Sequence, residues 1–125
     1  MKKIISTTNA PAAIGPYSQA VIVDGVLYIS GQIAIVPETG ELNLSNINAE
    51  THQVMKNLEA VLSSAEMNFS NVVKCTIFMK DMNQYAEINA VYSLYFSDNP
   101  PAREAVQVSR LPKDVNVEIS LIAVS

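Results

Sequence analysis

The stretch Val115-Asn116-Val117-Glu118-Ile119-Ser120-Leu121 alternates apolar and polar residues without a break. Successive side chains of a strand point to opposite faces, so Val115, Val117, Ile119 and Leu121 share a buried face while Asn116, Glu118 and Ser120 share the other. The strand is expected over Val115–Val124, and Leu111-Pro112-Lys113-Asp114 reads as the turn joining it to a preceding strand over Ala105–Ser109.

Further upstream the period changes. Tyr85, Ile88, Val91, Tyr92, Tyr95 and Phe96 recur at helical spacing and stop before Pro100, and Asp81-Met82-Asn83-Gln84 has the form of a capping box that opens this helix. Val72–Met79 is an apolar, β-branched run of strand length. Before it, Val54, Met55, Leu58, Val61, Leu62 and Ala65 recur at three and four, which predicts an amphipathic helix from about Asn48 to Ala65 with Ser45 or Asn46 near its cap.

The N-terminal part reads as a short strand within Lys2–Thr7, then a proline-punctuated loop with Tyr17 at its exit. A hairpin of Val21–Val23 and Val26–Ile35 about Asp24-Gly25 follows, closed by a turn at Pro37-Glu38-Thr39-Gly40. Ser30-Gly31 within the second arm marks a bulge, or a place where another group approaches the backbone closely. The order strands, helix, strand, helix, strands gives one α+β domain over residues 1–125, two helices lying on one face of a single mixed sheet. The other face is left to water or to partners, and its many apolar residues favour an oligomer that covers it.

The chain has 125 residues, 49% of them hydrophobic and 16% charged, enough for one globular domain with a core. Eight Lys+Arg against twelve Asp+Glu leave a net charge of −4, so a general grip on phosphates is not expected and nucleic acid is a poor partner. The single cysteine, Cys75, has no internal disulfide partner, and no Cys, His and carboxylate residues fall at metal-ligand spacing; a metal-free protein of a reducing compartment, the cytoplasm, is expected. The N-terminal segment lacks an apolar run of secretory length, and no segment approaches the roughly 18 apolar residues of a membrane span, so neither export nor membrane insertion is expected. His52 has no paired nucleophile and reads as a surface or half-buried residue, and Cys75 as a buried structural thiol.

Two residues carry candidate chemistry. Arg103 follows Pro100-Pro101 where loop becomes strand; the prolines stiffen its support, and a planar fork of donors suits bidentate capture of a carboxylate. Glu118 interrupts an apolar strand and is placed to orient a water beside such an anion.

Three separated motifs then give a resemblance that spans essentially the whole chain. Ala12-Ala13-Ile14-Gly15-Pro16-Tyr17-Ser18-Gln19-Ala20, Ser30-Gly31-Gln32-Ile33, and Pro101-Ala102-Arg103 followed by Ser109-Arg110-Leu111-Pro112-Lys113-Asp114-Val115 and Val117-Glu118-Ile119 resemble the RidA/YjgF family of reactive-intermediate deaminases. The resemblance implies a chorismate-mutase-like α+β fold, a mostly antiparallel sheet, and a homotrimer with a pocket at each subunit interface. It also implies hydrolysis of 2-imino acids such as 2-iminobutanoate and 2-iminopropanoate to 2-oxo acids and ammonia, without cofactor or metal. Carried over by position, Arg103 is similar to the family's carboxylate-binding arginine and Glu118 to its water-orienting glutamate. Tyr17, Ser30, Gly31 and Asn89 match pocket-lining positions, with Asn89 also read as an inter-subunit hydrogen bond, and the main chain of Ala105 matches a ligand or water contact. Glu104 and Ala105 stand where many relatives have serine and cysteine, so no thiol acts there, and Glu104 is expected to face away from Arg103.

Two rival readings use the same residues. One is a binding or regulatory module that holds small carboxylates without turning them over. The other is a ribonuclease, against which the acidic balance and the absence of a basic stripe with interleaved aromatics both count.

Overall fold

A computed structural model describes residues 1–125. In chain order its elements are β1 (Lys3–Ile5), β2 (Ala20–Val23), β3 (Val26–Gln32), α1 (Ile47–Ser64), β4 (Val72–Met79), α2 (Tyr85–Tyr95), β5 (Ala102–Gln107) and β6 (Val117–Val124). The alternating C-terminal stretch becomes β6 and takes an interior place in a six-stranded sheet of order β1-β2-β3-β6-β4-β5. Every neighbouring pair is antiparallel except β4 and β5, which are parallel because α2 carries the chain back between them.

The expected parity of β6 is realised: Val117, Ile119, Leu121 and Ala123 are buried, while Glu118, Ser120 and Ile122 are half-buried on the other face. The buried set meets Leu27 and Ile29 of β3 and Cys75, Ile77 and Met79 of β4 in one core with Val54, Met55, Leu58, Val61 and Leu62 of α1 and Ile88 and Tyr92 of α2. Burying each of these large apolar side chains stabilises the fold by about 1.5–3 kcal/mol. The opposite face carries Ile4, Tyr28, Val106 and Val124 exposed, with Phe78 and Ile122 half-buried. No helix is long and apolar enough to cross a membrane.

Several boundaries differ from the pattern-based expectation. The second hairpin arm ends at Gln32 instead of Ile35, because Ile35 leaves the sheet and bridges Leu42 alone. Strand β5 begins at Ala102, ahead of the expected Ala105, since parallel pairing with β4 starts at Lys74 opposite Ala102. Strand β6 begins at Val117 because a 3-10 turn at Pro112–Asp114 precedes it. The capping box also fails: Asp81 accepts from the Asn83 amide and caps a 3-10 turn over Met82–Gln84, but the Gln84 side chain does not reach back. Helix α1 keeps its expected cap, with the Asn46 side chain accepting from Ala49 N at 2.7 Å. Asp24 and Gly25 both have positive φ (49° and 78°), the geometry of a two-residue hairpin turn.

Candidate functional site

Glu118 stands opposite Phe78 of β4, out of phase with the buried Ile77–Ile119 pair, so its side chain lies on the uncovered face. There it borders a cavity of about 470 Å³ together with Tyr17, Ser30, Gly31, Ile14, Ile33 and Lys113. The Ser30-Gly31 bulge is present: pairing with β6 shifts between Ile29–Leu121 and Gln32–Ile119, leaving two residues of β3 against Ser120. Ser30 donates from its hydroxyl to the Ser18 carbonyl at 2.6 Å and its amide donates to the Gln19 carbonyl at 2.9 Å, which ties the Tyr17 loop to the sheet. Burial pushes the Glu118 carboxyl above the ordinary carboxylate range, with no opposing influence from a cation or donor. It is therefore a stronger base than a solvated glutamate.

Arg103 points the other way. It pairs in parallel register with the fully buried Cys75 and so projects on the helix-bearing face, at the edge strand β5. Its guanidinium donates to Asn89 Oδ1 at 2.7 Å and to the Tyr85 hydroxyl at 2.5 Å, and lies 5.0 Å from the centre of the Tyr92 ring. All three partners come from one side of α2, whose i, i+4, i+7 spacing presents them together. The chain's two ion pairs, Lys74–Glu104 and Lys80–Asp114, do not involve Arg103, so this half-buried cation has only neutral acceptors and aromatic faces in its own chain. Asn89, Arg103, Pro100 and Pro101 border a second cavity of about 400 Å³. Behind it the Tyr92 hydroxyl is buried without a regular hydrogen bond beside the Cys75 thiol, and burial pushes both acids upward.

The structure thus brings Tyr17, Ser30, Gly31 and Glu118 together, and separately Asn89 with Arg103. It does not bring the two groups together within one chain. Strand β4 lies between β5 and β6, so the two backbones are about 10 Å apart and the side chains leave opposite faces of the sheet. Asn89 gives its side-chain carbonyl to Arg103 of the same chain, which makes it an orienting partner of the fork. Ala105 lies within β5 opposite Ile77 and borders neither cavity. Glu104 faces away from Arg103, 61% exposed and paired with Lys74 at 2.9 Å. His52 is half-buried, with Nδ1 2.8 Å from the Tyr95 hydroxyl, and Cys75 is fully buried. No three His, Cys, Asp or Glu side chains converge as a metal site would require.

Three buried polar residues that support the site have no simple sequence signal. Glu50 of α1, 0% exposed, accepts from Asn116 N (2.8 Å), Asn116 Nδ2 (2.7 Å) and Val117 N (3.2 Å), clamping the entry of β6 just before Glu118. Asn57 donates to the carbonyls of Ile33 and Ile35, and Gln19 binds main-chain groups of Thr7 and Pro11. Glu50 and Asn57 fall on the apolar stripe of α1, where a polar residue within the hydrophobic pattern is the trace that could have flagged them.

The fold is a six-stranded α+β sheet with Glu118 bordering a cavity on one face and Arg103 bordering another on the opposite face, and comparison with known proteins names the class. Residues 7–125 match the family model described as Endoribonuclease L-PSP. A RutC family protein of Pyrococcus horikoshii is 50% identical over 123 residues, covering 98% of each chain. The 2-iminobutanoate/2-iminopropanoate deaminase of Mus musculus is 49% identical over 124 residues, covering 99% of this chain and 92% of the mouse protein. The crystal structure of Escherichia coli TdcF with bound serine superposes with a TM-score of 0.94 at 40% identity, covering 98% of both chains. The chain belongs to the RidA/YjgF family.

Proposed function

We propose that this protein hydrolyses small 2-imino acids, such as 2-iminobutanoate and 2-iminopropanoate, to 2-oxo acids and ammonia. The observation that carries the reading is the Arg103 guanidinium, half-buried and oriented by Asn89 and Tyr85 but with no anion of its own chain to hold. Such a fork binds a carboxylate through charge-assisted hydrogen bonds of about 1.5–3 kcal/mol each. Relatives named as deaminases of these imines, and a relative crystallised with serine, an amino acid of the same size, support the choice of ligand.

The two half-sites belong to one pocket when copies assemble as a homotrimer, one subunit supplying Arg103, Asn89 and the Ala105 main chain and its neighbour supplying Tyr17, Ser30, Gly31 and Glu118. The exposed apolar sheet face next to Glu118 supports an assembly that covers it. In the pocket Glu118 takes a proton from water as its oxygen bonds to the imine carbon. Glu118 returns that proton to the nitrogen, giving a neutral carbinolamine, and then moves the hydroxyl proton to the nitrogen as the carbonyl forms and the carbon–nitrogen bond breaks, releasing ammonia and the 2-oxo acid. General-base assistance of this kind contributes roughly 10²–10⁴-fold.

The test couples the protein to a pyridoxal-phosphate threonine dehydratase and traps residual imine with semicarbazide. Less trapped imine with wild type, and no reduction with Arg103→Ala, is the expected outcome. Unchanged trapping by wild type, with retained binding of 2-oxo acids, would instead favour the binding-module reading.

A further inference from the structure

Gly31 sits where the backbone itself makes no demand for glycine. Its φ lies outside the left-handed region that Gly25 and Gly40 occupy, so an L-residue fits the chain path. What excludes a side chain is space, and the space belongs to one group. A Cβ at Gly31 would lie 2.8 Å from Glu118 Cδ and 3.1 Å from Glu118 Cγ, with Glu118 Oε2 nearer still; the three nearest atoms all come from this one side chain. The bulge at Ser30-Gly31 brings the β3 backbone to that spot, out of the regular pairing with β6.

We infer that Gly31 is the positioning residue for Glu118: the missing methyl is the seat of the carboxylate, and bulge and glycine together fix where the base points. The seat explains two features of the site. The carboxylate is pressed against main chain instead of water, which accounts for the burial that raises its proton affinity. It also holds the Glu118 side chain in a cavity where no ion pair anchors it: Lys113 borders the same cavity but forms no salt bridge with Glu118. The Glu50 clamp sets where β6 begins along its axis, and Gly31 sets how far the carboxylate extends from the sheet.

The inference rests on Glu118 being the base of the proposed reaction, but the seating can be tested apart from it. In Gly31→Ala, kcat for imine hydrolysis should fall by about 10²-fold, as displacement of a catalytic group by roughly 1 Å does, with KM changed far less because Arg103 is untouched. In the Glu118→Asp background, where the carboxylate is withdrawn by one methylene, the same methyl should cost only about twofold. Carbon-13 NMR titration supplies the readout independent of activity: the Glu118 carboxyl should titrate lower in Gly31→Ala than in wild type. Should Gly31→Ala fail to fold, the pair Gly31→Ala/Glu118→Ala should fold, since nothing then opposes the methyl. Equal loss of kcat in both backgrounds, an unmoved Glu118 titration, or failure to fold even without the glutamate side chain would overturn the inference. A wild type inactive on imines together with a shifted Glu118 titration would sink the proposed reaction and leave the seating standing.

Discussion

Because Arg103 and Glu118 leave opposite faces of one sheet, each chain is expected to give them to two different pockets, and that geometry predicts a numerical result. Arg103→Ala and Glu118→Gln are mixed in equal amounts, unfolded, and refolded together. In a ring of identical interfaces a pocket regains both native residues only if its arginine half comes from a Glu118→Gln subunit and its glutamate half from an Arg103→Ala subunit. Each condition holds with a chance of about one half, so about one quarter of the pockets should be native in a random assembly. The parents alone should retain less than about 1% of wild-type turnover, given the 10²–10⁴-fold worth of a general base and the two or so charged hydrogen bonds of the fork. The semicarbazide assay should therefore show roughly 25% of wild-type activity per chain in the mixture. Differently tagged parents allow native mass spectrometry to verify that hybrids form. If hybrids are present and activity stays at the mean of the two parents, the two residues do not share an inter-subunit pocket.

Further outcomes follow from individual groups. Arg103→Lys keeps the charge but loses the fork that Asn89 and Tyr85 orient, and binding of a 2-oxo acid measured by calorimetry should weaken about 10–10²-fold, against about 10²–10⁴-fold for Arg103→Ala. The raised affinity of Glu118 for its proton makes kcat rise with pH through a midpoint above the ordinary carboxylate range; Glu118→Gln should flatten that profile and lower kcat more than it alters KM. The same shift has a stability consequence of opposite sense: the fold favours neutral Glu118, so its contribution is present below the unfolded-state value and is lost as pH rises through the folded one. Glu118→Gln should thus unfold at higher denaturant than wild type near pH 7 and lose that advantage near pH 4. Glu50→Ala strands three donors at the entry of β6 and should cost roughly 3–5 kcal/mol in urea unfolding at fixed protein concentration, where a loss under about 1 kcal/mol would refute the clamp.

What could be read along the chain was whatever depends on local period and chirality. The spacing of Val54, Met55, Leu58, Val61 and Leu62 requires a helix, Asp24-Gly25 requires a tight turn, and the alternation through Glu118 places that residue on the polar parity. The Ser30-Gly31 bulge was legible because a glycine inside a strand pattern is a local signal, although what requires that glycine is the distant Glu118 side chain. The departures lie where local preference does not decide: β5 starts early because pairing with β4 begins at Ala102, and Asp81 caps a 3-10 turn without a reciprocal bond from Gln84, whose Oε1 is buried without a partner. The roles of Glu50, Asn57 and Gln19 leave no local signature because they are hydrogen bonds to main chain distant in sequence.

Residue type and alternation are local properties, so the order of residues alone offers an arginine after two prolines and a glutamate on a strand's polar parity. Which face of the sheet each one occupies was decided only by the tertiary structure. Arg103 lies under α2 because β5 pairs in parallel with β4 in the register that sets it opposite Cys75, and a slip of one residue would move it to the face of Glu118. That choice depends on the summed packing of two helices and three strands, a non-local energy that no single stretch of the chain contains.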